Sequence, residues 1–193
     1  MSVELPPLVH GDIRLEPLHR RHHAALKAVC AEDQAIWDIY SIDLRGDGFH
    51  SWFAAVTSDG PGPAAWLMWV VLLADELVGM TGLSPDARHL GVVEMGTTFY
   101  VPKVRGSGLN RTIKWMALNH VFGTGAHRVE FRVDDRNARS KAAMRKIGAQ
   151  HEGLLRRHKL THTGFIRDTN MFSILDTEWP DLEPRLRPPR LRP

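Results

Sequence analysis

With 193 residues, 43% of them hydrophobic, the chain is long enough to bury one sizeable core and short for two domains. No run reaches about eighteen apolar residues and Met1–His10 lacks the charged-then-apolar pattern of an export signal, so the expectation is a cytoplasmic protein with no membrane partner. Cys30 is the only cysteine, which excludes an intrachain disulfide or a cysteine-rich zinc site, and a net charge of +3 gives no sign of a specific nucleic-acid partner.

Ile13 and Leu15 alternate with polar neighbours before Pro17, which predicts a short strand. Leu26, Val29 and Cys30 then fall at helical spacing, as do Phe49, Trp52, Phe53 and Val56, so two helices precede the turn-rich segment at 58–63. Two apolar runs, Ala64–Leu73 and Leu77–Leu83, joined at Ala74-Asp75-Glu76, read as an antiparallel hairpin, and a loop follows at Ser84–Leu90. Next come a strand at Val92–Val101, a glycine-bearing loop, a long helix through Phe122, a strand at Arg128–Val133 and a helix from Ala138 to Ile147. Final strands are expected at Ala149–His158 and Phe165–Leu175, turning at Thr161-His162-Thr163-Gly164. The pattern is a mixed α/β domain, antiparallel at both ends, with one strand-helix-strand unit in its middle. It is expected to occupy residues 1–180, and 181–193, where Arg185, Arg187, Arg190 and Arg192 alternate with Leu and Pro, is expected to be a disordered tail.

The most informative stretch is Tyr100-Val101-Pro102-Lys103-Val104-Arg105-Gly106-Ser107-Gly108-Leu109-Asn110, between a strand and a helix. Gly106 and Gly108 let the backbone approach a ligand, and amides at a helix N-terminus bind phosphate oxygens without any side chain. Arg105 and Arg111 would add positive charge, although a purely structural turn accounts for the same glycines. A P-loop reading of Gly91 and Gly96 fails because Thr97 stands where lysine is required. A dinucleotide fingerprint beginning at Gly106 fails because Arg111 takes the third glycine position.

Further pieces complete a pattern: His127-Arg128-Val129-Glu130-Phe131, Asn137-Ala138-Arg139-Ser140, Ile147-Gly148-Ala149, Glu152-Gly153-Leu154-Leu155-Arg156, and Gly164 through Trp179 with Arg167-Asp168. With the Lys103–Gly108 loop, they make the chain resemble the GNAT superfamily of N-acetyltransferases, closest to its RimJ/RimL-type branch, over nearly its whole length. The loop matches the Q/R-x-x-G-x-G/A segment that binds the coenzyme A pyrophosphate in that superfamily, with lysine at the first position. The resemblance implies a mostly antiparallel twisted sheet of about seven strands flanked by helices, with strands splayed at the acetyl-CoA site. It also implies acetyl transfer from acetyl-CoA to an amine, either a protein N-terminus, a ribosomal protein or a small molecule. Asn110 and Lys114 resemble a subgroup with Asn and Lys on the first helical turns. Similar proteins are frequently homodimers.

Cofactor contacts are then expected from Phe99, Tyr100, Val101, Arg105, Gly106, Ser107, Gly108, Leu109, Asn110, Arg111, Asn137 and Ser140. Amides near Phe99 to Val101 would serve as oxyanion and pantetheine donors, as similar enzymes imply. Attack requires a neutral amine, and strand parity puts Glu94, Gly96, Thr98 and Tyr100 on one face with Val93, Met95 and Phe99 on the other. Glu94 is therefore the expected base, although pairing with a buried arginine explains a mid-strand carboxylate nearly as well. His158 is the second choice, and His120 and His151 are further residues that could approach the acceptor. Asp168 either forms a turn or binds the amine. Similar enzymes protonate the thiolate with a tyrosine in the later helix, but the only tyrosines are Tyr40 and Tyr100. Ser140 is the expected proton donor, with capping or cofactor contact as alternatives. Cys30 lies on an apolar helical stripe, which speaks against an acyl-cysteine, and no metal site is expected, because His19, His22 and His23 read as a solvated helix end. An acyl-CoA sensor without catalysis is the alternative reading, since the usual tyrosine is missing.

Overall fold

The computed structural model describes residues 5–57, 66–85 and 89–189, so the turn expected at 58–63 lies outside the described residues. In chain order the strands are β1 (Leu8–His10), β2 (Ile13–Pro17), β3 (Leu67–Leu73), β4 (Glu76–Pro85), β5 (Val92–Tyr100), β6 (Arg128–Asp134), β7 (Gln150–Leu160) and β8 (Ile166–Leu175). The helices are α1 (His23–Ala31), α2 (Gly46–Thr57), α3 (Leu109–Gly123), α4 (Ala138–Lys146) and α5 (Trp179–Leu186). All eight strands form one sheet in the order β1-β2-β3-β4-β5-β6-β8-β7, in which only β5 and β6 are parallel. The β5-α3-β6 unit supplies that parallel pair, since its strands need a helical crossover to run the same way.

The expected stripe Leu26, Val29 and Cys30 is buried on α1, which packs against β4. Helix α3 buries Ile113, Ala117 and Val121, one turn apart. The sheet has eight strands where about seven were expected. The addition is β1, a three-residue strand paired to β2 across a turn where Gly11 takes a φ of 57°.

A second correction concerns the tail. Residues 179–186 form α5, with Leu186 2% exposed. Trp115 Nε1 on α3 donates to Glu183 Oε1 at 2.6 Å, and Arg187 reaches back to Glu183 at 2.7 Å. A Cβ at Gly148 would stand 2.5 Å from Leu182 Cδ2, so the chain after α4 turns directly beneath α5. Disorder beginning at residue 181 is therefore wrong for the described part, and 190–193 lie outside it. His22 is also not solvated: it is 9% exposed, and its Nδ1 accepts the His19 N–H at 3.0 Å.

Strand β5 carries the irregularity that matters most. Its register with β4 runs Glu94 to Ser84 and Gly96 to Gly82, but Phe99 then faces Met80, so β5 holds one extra residue. Thr97 takes a φ of 48° there, a left-handed angle that a β-branched residue adopts only under strain. The bulge inverts the expected parity beyond Gly96. Phe99 joins the face of Glu94 and Gly96 and packs on Trp37, while Thr98 moves to the α3 face, where its hydroxyl meets Thr81 at 2.8 Å.

Candidate active site

Strands β5 and β6 pair only at Val92–Arg128, Val93–Val129 and Glu94–Glu130. Beyond Glu94 they part, although β5 continues to Tyr100 and β6 to Asp134. The edge that β5 leaves open follows from its ladder with β4. The Val101 N–H donates to the Val78 carbonyl at 2.9 Å, which makes Val78/Val101 and, two residues back, Met80/Phe99 hydrogen-bonded pairs. Tyr100 alone of the three turns its backbone to the gap, so the expectation of donors at Phe99 and Val101 is corrected. The Tyr100 carbonyl accepts from Arg105 Nε at 2.8 Å, and the Thr98 carbonyl accepts from the Tyr40 hydroxyl.

The glycine loop stands at the end of this edge. Gly106 has φ 83° and Gly108, which caps α3, has φ 92°, angles that favour glycine. A Cβ built at either would meet nothing within 4 Å, so the loop presents backbone to open space. Ser107 Oγ donates to the Val104 carbonyl at 2.8 Å and accepts the Leu109 N–H at 3.3 Å, and buried Leu109 anchors the first turn. These features fit a diphosphate held by successive amides at the start of a fifteen-residue helix.

Arg105 does not add charge to that cradle. Its guanidinium is 2.6 Å from Asp33 and 5.5 Å from the Phe99 ring, so it ties the loop to the segment after α1. Lys103 pairs with Glu76. Arg111 is exposed on the first turn of α3 beside half-buried Asn110. Across the gap, Asn137 caps α4 by accepting the Ser140 N–H at 2.9 Å, so the capping alternative considered for Ser140 belongs to Asn137.

Glu94 sits where the strands diverge, its side chain 22% exposed and 3.3 Å from Arg132 Nη1. Burial raises its pKa above the usual carboxylate range, with Arg132 pulling the other way. Glu94 thus has an arginine partner, though a partly exposed one where the alternative expected it buried, and its carboxyl holds protons more tightly than usual. Trp66 borders the same spot, because a Cβ on Gly96 would lie 2.9 Å from its ring and 3.8 Å from Glu94 Oε1. The roof is the 34–45 segment, which reaches the β7–β8 turn: His162 bonds the Trp37 carbonyl at 2.7 Å and lies 3.7 Å from Asp43.

The remaining candidates separate. His158 belongs to a bulged, exposed part of β7, where partial burial and then Arg132, Arg167 and Lys159 lower its pKa. Asp168 accepts the Arg157 N–H at 2.6 Å and so holds that bulge, which is the turn-forming alternative. His120 packs on Trp69, and His151 bonds Asn170 at 2.9 Å. Cys30 is fully buried and its thiol is pushed up to about 12. A cavity of about 360 Å³ lined by Leu5, Pro17, Val56, Trp66 and Met68 lies away from the glycine loop.

Sequence reasoning missed three residues that contact this stretch of β5. Tyr40 touches the open edge of β5, Trp66 borders Glu94, and Lys114, taken only as a subgroup marker, is buried with Nζ 2.9 Å from Thr98 Oγ1. A mid-helix lysine amid apolar neighbours was the available signal for the last.

A single parallel pair that parts inside an otherwise antiparallel sheet, with a glycine-capped helix at the opening, is the framework of an acyl-CoA-dependent N-acyltransferase. The acetyltransferase (GNAT) domain model matches residues 12–150, and the chain belongs to that family. Its reaction is acetyl transfer from acetyl-CoA to an amine. A GNAT-family structure from Chromobacterium violaceum ATCC 12472 is 31% identical, with 90% of this chain and 88% of that chain covered and a TM-score of 0.81. A GCN5-related N-acetyltransferase from Brucella melitensis is 25% identical over 95% of this chain and 84% of that one, with a TM-score of 0.84. Mycobacterium smegmatis RimJ, in complex with CoA-disulfide, shares the fold at 23% identity, 94% and 91% coverage and a TM-score of 0.77. No curated protein sequence matches the chain. Among the described residues no helix is long and apolar enough to cross a membrane.

Proposed function

We propose that this protein is a cytoplasmic, RimJ/RimL-like enzyme, one domain running into α5, that acetylates a primary amine by direct attack within a ternary complex. The observation that carries the mechanism is the parting of β5 and β6 immediately beyond Glu94, which puts a carboxylate of raised pKa at the mouth of a gap edged by the Tyr100 amide. The amides of Gly106 to Arg111 hold the diphosphate, and Asn137 and Ser140 flank the cofactor from α4. The Tyr100 N–H donates to the thioester oxygen as it becomes an oxyanion.

An amine of pKa about 8 to 10 arrives protonated at neutral pH. Glu94 removes that proton, directly or through one water, and Arg132 keeps the carboxylate ionised often enough to act. The nitrogen–carbon bond forms, the carbon–sulfur bond breaks, the thiolate takes a proton from a hydroxyl at the gap, and the second proton, shed by the acylated nitrogen, restores that hydroxyl. Tyr40 is favoured over Ser140 for that step because its oxygen already lies on the open edge of β5. Burial raises its pKa to about 12, which keeps the phenol protonated until a thiolate forms beside it.

Glu94→Gln is expected to lower kcat by about 10²- to 10⁴-fold, the usual size of a lost general base. Calorimetric affinity for coenzyme A should be unchanged. The acid limb of the kcat/KM profile, which in the native enzyme falls as pH drops through the raised Glu94 pKa, should vanish. An unaltered rate and profile would remove Glu94 from the mechanism.

A further inference from the structure

Lys159 on β7 and Arg167 on β8 are directly opposite each other in the ladder. Like charges in that position repel and destabilise a sheet, so the pairing needs a reason. Arg167 is also only 7% exposed, and its Nε bonds to nothing more than the neutral Thr169 hydroxyl, at 3.0 Å. Among the described residues neither cation forms an ion pair, and the nearby carboxylates are engaged elsewhere. Glu94 is paired with Arg132, Asp134 with Arg136 at 2.8 Å, and Glu130 and Glu152 share Arg128. A largely buried guanidinium with no ion pair of its own, offset only by the more distant charges of Asp134 and Glu94, is costly, and a second cation beside it raises the cost.

The position is informative. Glu94 pairs across to Glu130, Glu130 to Ser173, and Arg132 to Met171, so these side chains share the sheet face that bears Thr169, Arg167 and Lys159. Arg132, Lys159 and Arg167 all act on the Glu94 carboxyl, and the same three act on His158. The face thus offers one carboxylate suited to an amine and, on the same face, two cations that form no ion pair among the described residues and are suited to an oxyanion.

We propose that Lys159 and Arg167 form an oxyanion subsite within the acceptor site, so that the preferred acceptor is an amine that also bears a carboxylate or phosphate. The inference rests on the acetyl-transfer reading for the position of the amine beside Glu94. A polyamine, with only positive charge to offer, would be repelled by the same pair.

Binding to the CoA-saturated protein can be compared within two matched pairs, phosphoethanolamine against ethanolamine and β-alanine against propylamine. The anionic member of at least one pair should bind about tenfold tighter or better, and which pair responds distinguishes phosphate from carboxylate. Lys159→Gln, an exposed position that leaves the core intact, should erase most of that preference, and Arg167→Gln should do so where circular dichroism shows it folded. Equal affinity within both pairs, or a preference that survives Lys159→Gln, would overturn the subsite. Release of coenzyme A thiol in the presence of acetyl-CoA is followed separately. Thiol release with equal affinities leaves acetyl transfer standing without the subsite, whereas selective binding without thiol release keeps the subsite and counts against the reading of the reaction.

Discussion

Lys114 is 2% exposed, its Nζ held by Thr98 Oγ1 at 2.9 Å and Thr81 Oγ1 at 3.4 Å and lying 5.8 Å from the Phe131 ring. Burial draws its pKa from 10.5 to about 7. In the unfolded chain the proton stays on until the higher value, so between these limits the unfolded state binds more protons and stability rises with pH. The stability of the native protein minus that of Lys114→Met should therefore grow from pH 7 towards pH 10, by at most about 1.4 kcal/mol per unit. Urea unfolding at pH 7, 8 and 9 measures it, and a flat difference would mean that the amine is already charged in the fold. Tyr40 and Ser140 can be ranked in the same single-residue way: Tyr40→Phe should lower kcat by about tenfold or more and Ser140→Ala by less, and the reverse order would return the proton to Ser140. Glu94 and the loop glycines were legible because a carboxylate in an apolar strand and two glycines before a helix are local signals. Tyr40 was not, since it meets Thr98 across 58 positions of chain. Lys159 and Arg167 are brought together by a hairpin whose register slips between Leu155 and Lys159, and no local pattern encodes that slip.

At the scale of elements, the proposed cofactor site lies at the start of α3. Gly108 combines a left-handed angle with open space on its Cβ side, so a large residue there costs backbone strain of about 1–2 kcal/mol but strikes no neighbour. Gly108→Trp should thus remain folded, with a lower melting temperature, while its ring fills the volume next to the helix amides and abolishes coenzyme A binding in calorimetry. Retained affinity would displace the diphosphate from this loop. The helices and long strands could be read from period alone, because each buries one face. The bulge at Thr97 could not: nothing in Thr-Thr-Phe announces an extra residue, yet it moves Phe99 to the opposite face from the one parity predicts. Helix α5 was missed for a different reason. Its arginines and prolines resemble a solvated tail, but Trp179, Leu182 and Leu186 fall on a helical stripe that was there to be used.

At the largest scale, the order of strands places the only parallel pair among the described residues in the interior of the sheet, with antiparallel hairpins holding it on either side. That arrangement was predicted in outline from one strand-helix-strand unit between antiparallel runs. The eighth strand was too short to see. The parting of β5 from β6 belongs to the polypeptide itself, since the β4 ladder, the bulge and the Lys114 and Tyr40 bonds all hold β5 where it is. On the proposed reading, coenzyme meets a doorway that these bonds already hold ajar. In stopped-flow mixing, the observed association rate should climb in proportion to coenzyme concentration up to the dead time of the instrument; a plateau at high concentration would betray a slow rearrangement upstream of capture.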